Sequence, residues 1–148
     1  MVALIVIILS TQMLYAYTPE GQLWMAAEVA VGSPNTPTPV GETVVEHVIY
    51  NPWWRPRGKP SMAPRQPGNP MGRVKLALRN YGAVRIHGGG LKVAMALNVP
   101  RTVSNGCVRM RDQDVQALAA GIVGNRAYEE REAFWLPVER AVKVVIRQ

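Results

Sequence analysis

The chain is poor in several residue types, and each scarcity closes off an option. One cysteine, Cys107, stands among 148 residues, so no internal disulfide framework can form. The usual cysteine-rich zinc sites, which need several ligands, are excluded with it. Histidine occurs twice, as His47 and His87. Acidic residues number 10 against 17 Lys and Arg, a net charge of +7. That balance suits anionic partners (nucleic acid, acidic membrane, an anionic wall polymer) or a merely solvated basic surface. The cations are spread from Arg55 to Arg147 without a Lys/Arg block. No recognition-helix or zinc-finger pattern accompanies them, so no nucleic-acid partner is expected. The opening apolar run, residues 1–9, is far short of the ~20 residues a membrane-spanning helix needs. It has no preceding Lys or Arg and no clear small-residue cleavage site, so no export signal is visible. Its β-branched residues fit a buried strand better.

What is present suits one domain, residues 1–148, with 48% hydrophobic residues to build a core. The pattern predicts strands over 2–9, 13–17, 43–50, 74–78, 84–86 and 141–147. Residues 22–31 read as extended, with a helix over 24–29 as the alternative, and 91–99 read equally as strand or helix. Thr18-Pro19-Glu20-Gly21 reads as a turn. The proline-rich stretch 32–39 cannot be helical. One clear helix is expected over 112–120, with Asp112 as N-cap, Asp114 at the positive end of its dipole and Gly121 as its stop. A second short helix over 128–135, ended by Pro137, is the weaker expectation. Residues 51–73 hold six prolines, four arginines, one lysine, two tryptophans and no acid. A loop of that length is a functional lid or a solvated loop tethered by Trp53 and Trp54.

Chemistry concentrates around the cysteine, in Ser104-Asn105-Gly106-Cys107-Val108-Arg109-Met110. A lone cysteine is more often a small buried hydrophobe, but here a cation follows two residues later and a helix start within five. Both favour the thiolate, the nucleophilic form. Gly106 lets backbone N–H groups turn toward a reacting carbonyl as an oxyanion hole. Asn105 would orient that loop or serve only as a turn residue. The candidate base is His87, delivered at a strand end ahead of Gly88-Gly89-Gly90. His47 lies mid-strand without a glycine shoulder, so His87 is preferred. A backbone carbonyl near Gly88 could accept the other imidazole proton and fix the His87 tautomer. Arg109 would pair a substrate carboxylate or order the loop, or else form a surface ion pair with Asp112 or Asp114.

These segments resemble the catalytic domain of the YkuD-type L,D-transpeptidases. Ile86-His87-Gly88 followed by Ser104-Asn105-Gly106-Cys107-Val108-Arg109-Met110 is similar to that family's HGT and S-H-G-C-[IV]-R-M signature. Thr36-Pro37-Thr38-Pro39-Val40-Gly41, Asn51-Pro52-Trp53-Trp54, Pro67-Gly68-Asn69-Pro70-Met71-Gly72 and Asp112-Gln113-Asp114-Val115 resemble its other ordered elements. The resemblance implies a mainly β, single-domain sandwich with one or two short helices. It implies Cys107 as nucleophile and His87 as base, supported by the main chain at Gly88. Ser104, Trp54 and Arg109 would contact substrate. Asn105 stands where the family usually has histidine, and Gly89 where it usually has threonine. Residues 124–137 read as an insertion.

The implied activity is a cysteine acyltransferase that cleaves D-alanine from peptidoglycan tetrapeptide stems and forms 3→3 cross-links through a Cys107 thioester. Water as acceptor would make it an L,D-carboxypeptidase. The other class is a peptidoglycan-binding module without turnover. No metal or organic cofactor is implied. A covalent carbapenem adduct at Cys107, a monomer, and a periplasmic or wall-associated location are expected.

Overall fold

The computed structural model describes residues 1–89, 102–125 and 133–148. Eleven strands are found there: β1 (Leu4–Ile8), β2 (Met13–Tyr17), β3 (Leu23–Glu28), β4 (Val31–Gly32), β5 (Gly41–Tyr50), β6 (Val74–Leu78), β7 (Arg85–His87), β8 (Thr102–Ser104), β9 (Val108–Arg109), β10 (Phe134–Pro137) and β11 (Lys143–Arg147). One helix, α1 (Asp112–Val123), accompanies them.

Nine strands form one sheet in the order β3-β2-β1-β11-β5-β6-β7-β9, with β10 also paired to β5. Pairing is antiparallel except for β1 with β11 and β7 with β9. Strand β5 is long enough to take two partners in succession. It pairs β11 through Gly41–Val44 and β10 through His47–Tyr50, and its register to β6 shifts between Val45 and His47. A bulge of this kind bends a strand and increases its twist, so the sheet curls. The expected mainly β, sandwich-like fold follows, with a core enclosed between the ends of the curl. A short parallel pair, β4 with β8, lies apart.

Alternation selects the core. Ile5 and Ile7 of β1, Leu14 and Ala16 of β2, and Leu76 and Ile86 of β6 and β7 are buried together with Val144 and Ile146 of β11. Their strand neighbours face outward, the period-2 pattern of a sheet covered on one face. Helix α1 adds Val115, Leu118, Ala119 and Ile122 to this core. Fully burying each such aliphatic side chain contributes ~1.5–3 kcal/mol.

Residues 22–31 are strand, not helix: β3 adds to β2 in register from Met13↔Glu28 to Tyr17↔Leu23. The helix N-cap is Arg111, not Asp112, and it has no side-chain cap bond. Asp112 instead accepts the backbone N–H of Arg73 at 3.0 Å. Gly121, expected to end the helix, lies inside it. A Cβ there would sit 2.7 Å from both Trp24 and Val2, so the glycine serves close approach of the sheet. The helix stops at Gly124, φ +84°. It has no basic residue in its last turn. Arg140 supplies the missing cation from afar, donating to the carbonyls of Gly121 (3.0 Å), Ile122 (3.1 Å) and Val2. The second helix is not found where it can be judged: Phe134–Pro137 is strand, because β5 offers it an unpaired edge. The rest of that expectation, and the readings of 91–99 and of most of the insertion, lie outside the described residues.

Candidate active site

Two registers assemble the site. Strand pairing opposes Lys75 of β6 to His87 of β7, and His87 to Arg109 of β9. Residues directly opposite share a sheet face, so Lys75, His87 and Arg109 lie on one face. Cys107 directly precedes β9, two residues before Arg109. The electrostatics agree. Arg109 and Lys75 both act on His87, and Lys75 in turn senses Cys107, Arg85 and Arg55. The residue singled out as base lies on β7, paired with β9, and the residue singled out as nucleophile directly precedes β9.

His87 is 3% exposed. Its Nδ1 lies 2.6 Å from the carbonyl oxygen of Gly88. A carbonyl only accepts, so Nδ1 carries the hydrogen and Nε2 is left with the lone pair. Burial pulls the imidazole down to about 4; the Gly88 bond opposes this, and Arg109 and Lys75 reinforce it. The ring therefore rests neutral at ordinary pH, as a base must. Gly88 is locked in place, since a Cβ on it would collide with the Asp112 carboxylate and lie 3.3 Å from Val115. Gly72, at φ +68°, abuts the same carboxylate and the Gly88–Gly89 backbone. Asp112 thus clamps the start of the glycine run against the end of the 51–73 loop.

The cysteine loop is held from within and from outside. The Ser104 hydroxyl, buried, donates to the Cys107 carbonyl at 2.5 Å and accepts the Gly106 N–H at 3.1 Å. Thr38, also buried, donates to the Gly106 carbonyl at 2.8 Å and accepts the Gly32 N–H at 2.9 Å. Thr36 donates to the Ser104 carbonyl at 2.9 Å. Gly106 adopts φ +119°, a region that favours glycine. Because its N–H is taken by Ser104, the neighbouring Cys107 N–H is the better oxyanion donor; it has no partner among the described residues. Asn105 is exposed. Cys107 is half-buried, and its thiol donates to the Ala83 carbonyl at 3.6 Å. No thiol–imidazole hydrogen bond is formed among the described residues, a common looseness before substrate arrives.

The ion pairs considered for Arg109 do not form among the described residues. Asp114 pairs Arg111 at 3.7 Å, and Asp112 takes the Arg73 N–H. The Nε of Arg109 is buried without a partner there. Residues 51–73 form a built loop. It is closed at its base by Asn51 N–H to Arg73 carbonyl (2.8 Å) and crossed by a Trp54–Met62 bridge. Asn69 braces it, donating to the carbonyls of Pro52 and Ala63. Arg55 stacks on Trp53. A groove of about 330 Å³ runs between this loop and the sheet, where Trp54, Arg55, Met71 and Lys75 meet. His47 lies elsewhere, edge-on to Trp135 at 4.6 Å. Among the described residues no group of three or more His, Cys, Asp or Glu is placed to hold a metal ion, and no helix is long and apolar enough to cross a membrane.

Sequence reasoning passed over Thr36, Thr38, Asp112 and Lys75 as site residues. The threonines lay inside a recognised motif, but their partners are 68 positions away. Lys75 looked like one outward residue of an ordinary strand.

The model of the L,D-transpeptidase catalytic domain family matches residues 3–139, and the chain belongs to that family. It is 30% identical over 136 residues to the probable L,D-transpeptidase YbiS of Escherichia coli K12, covering 82% of this chain and 42% of YbiS. The chain therefore spans about two fifths of that relative's length. Among solved structures, the catalytic domain of the E. faecium L,D-transpeptidase superposes with a TM-score of 0.62 at 16% identity, covering 97% of this chain and 95% of that one. The avibactam carbamoyl enzyme of Ldtfm superposes equally, at 17% identity, covering 99% and 49%.

Proposed function

We propose that this domain transfers the acyl group of a peptidoglycan tetrapeptide stem through a thioester on Cys107, releasing D-alanine and forming a 3→3 cross-link. The observation that carries this reading is the His87 imidazole. It is neutral, pinned by Gly88 through Nδ1, and lies on the strand paired with β9, which the one thiol of the chain directly precedes.

In the proposed sequence, Nε2 of His87 takes the thiol proton as sulfur attacks the carbonyl preceding the terminal D-alanine. The S–C bond forms, and the Cys107 N–H steadies the oxyanion. The C–N bond then breaks, with the proton passing from His87 to the leaving amine, and D-alanine departs. An amine of a second stem attacks the thioester, gives its proton to His87, and restores the thiol by way of the same imidazole. Family membership supports the chemistry, and with it a periplasmic or wall-associated location, where such stems lie. A covalent carbapenem adduct at Cys107 belongs to the same reading, and the avibactam carbamoyl enzyme of a structural neighbour shows that an enzyme of this fold is open to covalent capture.

The test is mass spectrometry of products from purified disaccharide-tetrapeptide, with Cys107→Ala as control. Cross-linked dimer lost in the variant supports transpeptidation. Tripeptide alone makes the domain an L,D-carboxypeptidase. Untouched substrate in both samples sinks the reading and leaves a binding module.

A further inference from the structure

Lys75 has no part in the proton transfers above, yet it holds a distinctive position. It stands directly opposite His87 across the β6–β7 pair. Side chains so placed have Cβ atoms ~5 Å apart. Its other cross-strand neighbour, on β5, is Ile49, which lines the same groove along with Trp53, Trp54 and Arg55. No acidic side chain pairs Lys75, Arg85 or Arg55 among the described residues. Burial, and then Arg85, hold the ammonium below its ordinary value; Cys107 acts in the opposite direction, and Arg55 adds to the lowering. A half-buried cation among other cations, on an apolar floor, is poorly satisfied until an anion arrives.

The chemistry of the leaving group says which anion. His87 must hand its proton to the leaving amine, so the leaving residue lies on the His87 side of the thiol. The carboxylate of a C-terminal leaving residue is one carbon from that amine. Two cations stand opposite His87, Lys75 on β6 and Arg109 on β9; of the two, Lys75 is the one that lines the groove. We propose that Lys75 is a specificity-determining residue that pairs the terminal carboxylate of the donor peptide, so that the site accepts a free C-terminal residue and discriminates against an amide-capped or extended one. This rests on the acyl-transfer reading above, and Arg55 and Arg85 strengthen the field without being required to touch the carboxylate.

Two measurements test it. The first is the ratio of kcat/KM for the tetrapeptide donor with a free C-terminus to that for its C-terminal carboxamide. A charge-assisted contact is expected to give the unmodified protein a preference of about thirtyfold. Lys75→Met should bring the ratio close to one, mainly through KM for the free acid, and Lys75→Arg should retain most of the preference. A merely structural lysine would lower both substrates alike and leave the ratio intact, and that result overturns the proposal. The second measurement needs no turnover. Alkylation of Cys107 by iodoacetate relative to iodoacetamide reports the local positive potential, and Lys75→Met should lower this ratio about fivefold. An unchanged alkylation ratio overturns the proposal. If neither peptide is turned over by the unmodified protein, the acyl-transfer reading fails, and the anion-binding role of Lys75 is decided by the alkylation ratio alone.

Discussion

Acidification should destabilise this fold through His87, by an amount that follows from its surroundings. Burial holds the imidazole at about 4 against an ordinary 6.5, with Arg109 and Lys75 pushing the same way against the Gly88 bond. Between pH 6.5 and about 4 the unfolded chain binds a proton that the folded chain refuses. Stability therefore falls as pH drops through this window, and nothing further is lost from this group below it. At about 1.4 kcal/mol per unit of difference, the full loss is about 3 kcal/mol. Urea unfolding of the intact protein and of His87→Gln, at steps from pH 7.5 to 4, measures it. Gln can still donate to the Gly88 carbonyl but does not titrate. The variant should be less sensitive to pH by about 3 kcal/mol across the window, whatever its stability at pH 7.5, because the carboxylates contribute equally to both proteins. Parallel stability curves would refute the reasoning. So would an NMR titration in a His47→Gln background, with one histidine left, that found His87 protonating near 6.5.

Three further outcomes follow from contacts around the site. Gly88→Ala places a methyl group on the Asp112 carboxylate; it should lower stability by ~3 kcal/mol and nearly abolish turnover, and calorimetry should show partial recovery when Asp112→Ala is added. Thr38→Val removes two buried hydrogen bonds that hold Gly106 and Gly32; a loss of ~2–3 kcal/mol in urea unfolding is expected, with slower alkylation or acylation of Cys107 as the loop loosens. Arg140→Met leaves the carbonyls of Val2, Gly121 and Ile122 without their cation; stability should fall by ~2 kcal/mol, while kcat/KM for the native protein changes less than twofold, since Arg140 lies at the far end of α1.

Much of the frame was legible before any coordinates. The β-branched runs at 2–9, 43–50 and 141–147 marked strands; β1 and β11 lie within the first and last, and β5 begins two residues ahead of the second. Cys107 and His87 stood out because one thiol and one glycine-flanked imidazole had almost no competitors. Helix α1 began where an apolar stripe at helical spacing placed it. Such signals are local: they depend on neighbours a few residues away.

What sequence reasoning missed depends on distant partners. Gly121 looks like a helix stop until Val2 and Trp24 pack against it. Residues 134 and 135 look like the end of a helix until β5 offers an edge. The hydroxyls of Thr36 and Thr38 act on carbonyls 68 positions away. Asp112 reads as a cap but fastens the 51–73 loop to the glycines after His87. Lys75 differs from any outward strand residue only through the register that sets it opposite His87. The amino-acid sequence by itself determined which residues carry the reactive groups, because reactivity belongs to the side chain. The tertiary structure alone decided how the cysteine loop is fastened from outside and which cations stand opposite the imidazole, because each of these is set by the pairing of segments far apart in the chain.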